Sequence, residues 1–281
     1  MRNEAPPLAD PIEKIYISYD DVDERCAKGV DLLEAAIGSY AVTRMASLEE
    51  ADAVIAVGGD GAFARAVREH GFSSIPMAGI STGKLGWYMG TVPTKESVDY
   101  LVRNLAEGDY SLVNLPIVEL RNEREELVAK AVNEIIIKAP GFQAFVAKII
   151  IDGTQFDNFV GGGLEFVTPQ GSTGEGISDN GPMIAEGTPV WAMVPKSPHI
   201  SDEYYAPASP FVMHKDWEVV VEVKDTFRRP FVVGGDGQDI EWHDGDVLKL
   251  TMSKDDPLRR IRLKDHSYAD DIARKFRGQK K

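Results

Sequence analysis

Cysteine is nearly absent: Cys26 is the single one in 281 residues. That excludes an intrachain disulfide framework and fits a reducing compartment, with the thiol read as a small buried apolar group. No run of about 20 uncharged apolar residues exists to span a bilayer as a helix, and the opening residues, Met1 to Pro7, hold no apolar segment of the secretory type. The five histidines, at 70, 199, 214, 243 and 266, show neither metal-ligand nor triad spacing. Positive charge is also scarce, with 31 Lys+Arg against 45 Asp+Glu and a net charge of −14. A surface of that sign repels nucleic acid and anionic lipid. The one basic concentration, Arg259, Arg260, Arg262 and Lys264 with Arg274, Lys275, Arg277, Lys280 and Lys281 beyond, reads as a solvated C-terminal tail. These absences lead us to expect a soluble, cytoplasmic protein with no nucleic-acid and no membrane partner. Any anionic ligand must be held locally, by backbone N–H groups, a few cations or a metal ion.

What remains is an ordinary globular composition, 43% hydrophobic and 27% charged, at a length that suggests two domains. The first hundred residues alternate apolar runs with helical periodicity. Strands are expected at residues 12–19, 40–43, 53–57 and 75–80. Helical faces are expected from Val22, Cys26, Val30, Leu33 and Ile37, over residues 62–70, and from Val98, Leu101, Val102 and Leu105. Asp21 with Glu24 resembles a capping box at the first of these helices. Beyond Gly108 the pattern changes to strands: 112–120, 127–138, 145–151, 164–167, 190–194, 217–223, 231–233, 240–242 and 247–252. Asp152-Gly153 predicts a tight hairpin, and Asp244-Gly245 a similar turn. The expectation is therefore an α/β N-terminal domain with a parallel sheet, residues 1–110, and a mostly antiparallel, sandwich-like β domain, residues 111–281 with its tail.

Several segments could carry chemistry. Gly58-Gly59-Asp60-Gly61 lies between a buried strand and a helix, where bare glycines and a helix N-terminus form a cradle for phosphate. It matches neither a Walker loop nor the dinucleotide fingerprint. A carboxylate among phosphates is repulsive unless it holds a cation or takes a proton from an attacking hydroxyl, so Asp60 suggests phosphoryl transfer; a plain turn is the other reading. The same tetrapeptide recurs at Gly234-Gly235-Asp236-Gly237, between strand patterns, where a hairpin or bulge is expected. Ser81 to Tyr88 forms a second glycine-containing loop after a strand, with Lys84 a possible phosphate partner. Asn133-Glu134 precedes three isoleucines, and burying that amide and carboxyl requires partners that a ribose could supply. The hydroxyl- and glycine-rich stretch from Thr168 to Pro182 reads either as a ligand loop or as a flexible surface loop.

In this order, these segments resemble the NAD kinases, over residues 53–250. The resemblance rests on Gly58-Gly59-Asp60-Gly61, on Thr82-Gly83-Lys84-Leu85-Gly86-Trp87, on Asn133-Glu134, on Thr168-Pro169-Gln170-Gly171-Ser172-Thr173 and on Ser209-Pro210-Phe211-Val212. It implies transfer of a phosphoryl group from ATP or polyphosphate to the adenosine-ribose 2′-hydroxyl of NAD, giving NADP. It also implies a divalent metal ion, Mg²⁺ foremost, a donor-binding first domain, an NAD-binding second domain and a homodimer or homotetramer. Carried over by position, Asp60 would be the catalytic base and Gly58, Gly59 and Gly61 would shape the phosphate loop. Asn133, Glu134, Thr173, Gly174, Glu175, Gly176, Ile177, Ser178 and Gln238 would contact the dinucleotide. The chain departs from the family at Val160-Gly161-Gly162-Gly163, where Arg-Gly-Asp-Gly is usual, and at Thr173-Gly174-Glu175, where the third residue is usually tyrosine. Those departures motivate an alternative, a non-catalytic NAD-binding or regulatory protein; a kinase of lipids or other small alcohols is a further one.

Overall fold

The computed structural model describes residues 9–82, 86–200, 209–224, 226, 229–255, 257–264, 268–269 and 272–273. The expectations for residues 1–8, Gly83, Lys84, Leu85, His266, Arg274, Lys275, Arg277, Lys280 and Lys281 lie outside them. The chain divides into two units, Met1–Asn114 with Leu258–Lys281, and Leu115–Pro257.

The first unit contains β1 (Lys14–Tyr19), α1 (Glu24–Ile37), β2 (Thr43–Arg44), β3 (Ala53–Gly58), α2 (Asp60–Glu69), β4 (Met77–Ser81), α3 (Lys95–Glu107) and β5 (Tyr110–Leu115). Its sheet runs β2-β1-β3-β4, then the last strand of the chain, Leu258–Leu263, then β5. The pairings among β1, β2, β3 and β4 and that of the last strand with β4 are parallel. β3 is buried along its whole length, as its uncharged sequence requires. Helix α1 buries Cys26, Val30 and Leu33 of the expected face, with Ala36 beside them, while Ile37 is half-buried and Val22 lies exposed ahead of the helix. Gly29 is on that face because a β-carbon there would strike Val57. Helix α3 is capped by Thr94, whose hydroxyl accepts the Ser97 N–H (3.3 Å), and stops at Gly108 in the left-handed region (φ 70°).

Three expectations for this unit need correction. The cap of α1 is Asp23, which accepts the Arg25 N–H at 3.0 Å and grips the Arg25 guanidinium as well, rather than Asp21. The strand expected at 40–43 shrinks to Thr43–Arg44. The basic run 259–264 is no solvated tail. Leu258 just ahead of it and Ile261 and Leu263 within it are buried. Arg259 Nε donates to Ser74 O (2.5 Å), and the Arg260 guanidinium lies over the Trp87 ring at 6.0 Å.

The second unit contains β6 (Val118–Arg121), β7 (Leu127–Ala131), β8 (Glu134–Lys138), β9 (Phe145–Ile151), β10 (Thr154–Gly161), β11 (Gly163–Val167), β12 (Val190–Lys196), β13 (Phe211–His214), β14 (Val219–Val223), β15 (Val232–Gly235), β16 (Gln238–Ile240) and β17 (Val247–Met252). They form two antiparallel sheets, β10-β9-β14-β17-β6-β7 and β13-β12-β11-β8-β15-β16. A shared core of Phe145, Phe159, Ile149 and Leu250 from one sheet and Phe166, Trp191, Ile135 and Met193 from the other makes this a sandwich. The Asp152-Gly153 hairpin is present, both residues at positive φ (48° and 74°).

Two single runs of the sequence become pairs of strands. The run 112–120 breaks at Pro116, which cannot donate a ladder hydrogen bond, and the boundary between units falls beside it. The run 127–138 breaks at Val132 and Asn133, so β7 joins one sheet and β8 the other. The Asp244-Gly245 turn likewise connects strands of different sheets rather than closing a hairpin.

The inserted position of the last strand, here β18 (Leu258–Leu263), makes a direct prediction. Leu258 is fully buried, so Leu258→Ala should cost about 2–5 kcal/mol. Urea denaturation followed by circular dichroism would check it.

Candidate active site

In the first unit, β3 ends in Gly58 at φ 154°, where a β-carbon would also overlap Ala62. Gly59 is the N-cap of α2 and Asp60 its first residue. Among the described residues, and apart from chain neighbours and the backbone of α2 itself, no atom lies within 4 Å of the place a β-carbon would occupy at Gly59 or Gly61. Their bareness answers no packing demand of the protein, and it leaves room for a ligand to approach the backbone. A cleft of about 370 Å³ opens here, lined by Gly58, Gly59, Gly61, Arg25, Arg65 and Thr82 among others. Both arginines are paired, Arg25 with Asp23 at 2.7 Å and Arg65 with Asp20 at 3.1 Å. A larger cleft, about 610 Å³, lies along the second half of β1 and is lined by Tyr16, Tyr19, Asp21, Arg44 and Glu69 among others.

The Asp60 carboxylate reaches across to the segment after β4. Its Oδ2 accepts the Trp87 N–H and its Oδ1 the Tyr88 N–H, both at 2.9 Å. Each oxygen keeps a lone pair for a further donor. The gripped segment is itself pinned by ring contacts. Tyr88 stacks on Phe63 of α2 at 4.4 Å, and Trp87 meets Tyr268 edge-on at 4.8 Å. Gly86 is bare because a β-carbon there would overlap the Asp60 carboxylate.

The second unit repeats this grip. The recurring tetrapeptide is the expected hairpin, joining β15 to β16 with Asp236 and Gly237 at positive φ (48° and 72°). Asp236 Oδ2 accepts the Val132 N–H (2.8 Å) and Oδ1 the Asn133 N–H (2.7 Å), which is the break between β7 and β8. The Val132 carbonyl accepts from Thr168 Oγ1 (2.6 Å) and Gln170 Nε2 (2.7 Å). Gly171 packs on Asn133 so closely that a β-carbon would overlap its carbonyl. The Thr168–Thr173 stretch is thus a buried, hydrogen-bonded brace rather than a flexible loop, with Ser172 Oγ accepting the Ile184 N–H at 2.9 Å.

This brace presents Glu134, buried on β8, beside the turn at 174–179. A β-carbon on Gly174 would stand 3.7 Å from Glu134 Oε2. Burial, with the charges of Asp236, Glu165 and Glu175, pushes the Glu134 carboxyl up to about 8. Glu165, fully buried on β11, is pushed up to about 7, by burial first and against the pull of Lys196. Its Oε1 has no hydrogen-bond partner. Lys196, at the end of β12, points its ammonium at Glu165 Oε2 (3.5 Å), Glu175 Oε1 (2.9 Å) and Asp179. Burial opposes its charge, but these carboxylates hold its pKa above the usual lysine range.

In the first unit, then, Gly58, Gly59, Asp60 and Gly61 form one site. In the second, Asn133, Glu134, Thr173, Gly174, Glu175 and Gly176 gather around β8. Gln238 is exposed on β16, its amide donating to Gly237 O at 3.1 Å. Sequence reasoning missed Asp236, Glu165, Asp179 and Lys196. A charge inside Leu164-Glu165-Phe166-Val167 was the available signal, since an ionisable group in an all-buried strand needs a partner. Among the described residues, no group of three or more His, Cys, Asp and Glu side chains is arranged to hold a metal ion.

A family model describing the ATP-NAD kinase N-terminal domain matches residues 19–110. An NAD kinase of Bacteroides fragilis strain YCH46 is 30% identical over 231 residues, covering 81% of this chain and 76% of the relative. The chain belongs to the NAD kinase family. The NAD kinase of Natranaerobius thermophilus is 27% identical over 278 residues, 96% of this chain and 94% of the relative. Among solved structures, yeast NADH kinase complexed with NADH aligns with a TM-score of 0.81 at 15% identity, over 99% of this chain and 94% of that one. An NAD kinase from Archaeoglobus fulgidus in complex with ATP aligns at 0.70 and 19% identity, over 90% and 94%. These two establish the shared fold.

Against that family background, the Val160-Gly161-Gly162-Gly163 departure is a close backbone passage. Gly162 N–H donates to Lys196 O (2.8 Å), and β-carbons on Gly161 and Gly163 would overlap neighbouring chain. Glu175, in place of the family's usual tyrosine, is a partner of Lys196.

Two predictions follow from this geometry. Gly86→Ala should force the Asp60 carboxylate off the Trp87 and Tyr88 amides, lowering kinase turnover at least about tenfold and lowering the thermal melt as the grip is lost; steady-state kinetics beside calorimetry would check both. Glu134 and Glu165 bind protons more tightly in the folded protein than an ordinary carboxylate near 4.5 does. Their contribution to stability is full below that value and is lost as pH rises through about 7 and then 8. Glu134→Gln, which cannot ionise, should therefore gain stability over the parent between pH 6 and pH 9, read from urea midpoints at the two pH values.

Proposed function

We propose that this NAD kinase family member transfers the terminal phosphoryl group of ATP to the adenosine-ribose 2′-hydroxyl of NAD, with Asp60 as general base. The observation that carries the reading is the Asp60 carboxylate, held by two backbone amides at the mouth of a glycine loop whose Gly59 and Gly61 face open space. The Archaeoglobus relative binds ATP and the yeast relative NADH, which supports a nucleotide donor and a dinucleotide acceptor. Polyphosphate remains the alternative donor that the same loop could cradle.

The chemistry follows from what the side chains hold ready. With one lone pair of each oxygen engaged by an amide, the carboxylate cannot swing, and the remaining lone pairs can take the hydroxyl proton. As that proton leaves, the 2′-oxygen forms its bond to the γ-phosphorus and the bridging bond to the β-phosphate breaks. The products are ADP, NADP and a proton that Asp60 passes to solvent. The amides of the glycine loop and the start of α2 face the anionic donor. A divalent cation, Mg²⁺ foremost, would neutralise the donor's phosphate charge. Given the protein ligands available, phosphate oxygens and water would supply most of its coordination, with Asp60 the loop's one carboxylate. On β8, Glu134 is neutral at neutral pH and can donate to a ribose hydroxyl as well as accept from one.

The proposal includes a cytoplasmic setting and a homodimer or homotetramer, the latter checked by light scattering. No described helix is long and apolar enough to cross a membrane. The decisive experiment compares the parent with Asp60→Asn in a coupled assay for NADP, alongside NAD binding by calorimetry. Expected is a loss of about 10²–10⁴-fold in turnover with NAD binding kept. Turnover within tenfold of the parent would remove Asp60 from the chemistry. A parent that binds NAD without turnover would favour the regulatory reading motivated by Val160, Gly162 and Glu175.

A further inference from the structure

The turn that carries Glu175 has little to hold it. Thr168, Gln170, Ser172 and Thr173 before it are buried, but of residues 174–180 only Gly176 is buried, with Ile177 and Asp179 half-buried. An exposed turn with no buried apolar side chain cannot be fixed by the hydrophobic effect. Its position nevertheless matters, because Gly174 stands beside the Glu134 carboxyl and Gly176 packs against Val167 and Glu165.

The anchor is ionic. An ammonium carries three N–H donors, and that of Lys196 meets three carboxylates from two parts of the fold. Glu165 belongs to β11 of the sheet beneath, whereas Glu175 and Asp179 bracket the turn above. The lysine is largely sheltered from solvent, with a side-chain exposure of 16%. Its pair with Asp179 is therefore less screened than a surface ion pair, whereas the Glu175 leg, half exposed, is screened more. Glu165 itself is fully buried, so the tripod has a rigid foot.

We propose that Lys196 is a positioning residue for dinucleotide binding, tethering the 175–179 turn to the sheet through Glu165, Glu175 and Asp179. The inference rests on the NAD kinase reading, in which Thr173 to Ser178 contact the substrate. It gives Glu175 a role as one leg of an ionic clamp. Lys196 touches no reacting atom, so it acts on the acceptor's binding rather than on the phosphoryl step.

The test is steady-state kinetics of the full chain with NAD and ATP varied separately. Lys196→Met should raise the KM for NAD at least tenfold, leave the KM for ATP within about twofold, and leave kcat at saturating NAD within about threefold. Lys196→Arg should restore the KM for NAD to within about threefold of the parent. Because Lys196→Met strands the buried Glu165 carboxyl, the double variant Lys196→Met with Glu165→Leu supplies a folded apolar replacement. It too should show the raised KM for NAD, since Glu175 and Asp179 remain untethered. An unchanged KM for NAD in the double variant overturns the proposal. So does a uniform fall in kcat with both KM values unmoved, or a failure of arginine to restore binding. If the parent itself forms no NADP, it is the functional reading that fails, and calorimetric NAD affinity of the same variants still decides whether Lys196 sets the turn.

Discussion

An aspartate carboxylate that accepts two successive backbone N–H groups is the interaction on which both halves of this protein depend. Two parallel amides on one carboxylate fix position and direction together, and charge-assisted hydrogen bonds of this kind are worth more than neutral ones. In the first unit the grip ties the start of α2 to the segment after β4. In the second it ties the β15–β16 hairpin to the crossing from β7 to β8. That crossing is where one strand run is shared between two sheets. The ladder hydrogen bonds lost there by Val132 and Asn133 are made instead to Asp236, Thr168 and Gln170. A break in a sandwich would otherwise leave buried polar groups unpaired.

The two Gly-Gly-Asp-Gly copies show how one local device serves different ends. Both place an aspartate where its oxygens face a neighbouring chain, and both need glycines for the approach. The first copy opens a helix and leaves Gly59 and Gly61 facing open space. The second closes a hairpin, and its Gly235 is hemmed by Ile240, Glu134 and Ala131. Asp60 and Asp236 are both half-buried, so what separates the copies is the element that follows, a helix N-terminus in one and a hairpin strand in the other. Context separates them, and the tetrapeptide alone does not.

Much of the architecture was legible in the sequence because hydrophobic period and turn chemistry are local. The alternation of β3, α2 and β4, the Asp152-Gly153 hairpin and the change to strands after Gly108 all rest on neighbours a few residues apart. What was not legible depends on distant partners. Residues 259–264 read as a tail because three arginines hide Leu258, Ile261 and Leu263, and the partner strand β4 lies far upstream. The run 127–138 gave no sign of its break, since the cause, Asp236, sits about a hundred residues away. The site showed the same divide. Asp60, Asn133 and Glu134 stood out by local oddity, while the Trp87 and Tyr88 amides and the Lys196 tripod required the fold.

A chain with net charge −14 that handles anionic nucleotides must solve an electrostatic problem, and the two units do so differently. In the first, Arg25 and Arg65 are already paired, and the attraction we propose is that of the glycine-loop amides at a helix N-terminus. In the second, a wall of carboxylates would repel a dinucleotide's phosphates if every one were ionised. Burial and crowding prevent that. Burial first, then the charges of Asp236, Glu165 and Glu175, push Glu134 up, and the ammonium of Lys196 offsets only part of that rise. Glu134 is thereby held well above the ordinary carboxylate range, and in its protonated form it can donate as well as accept. The same crowding of acids that makes this part of the protein costly to fold at high pH also makes it compatible with an anionic ligand at neutral pH.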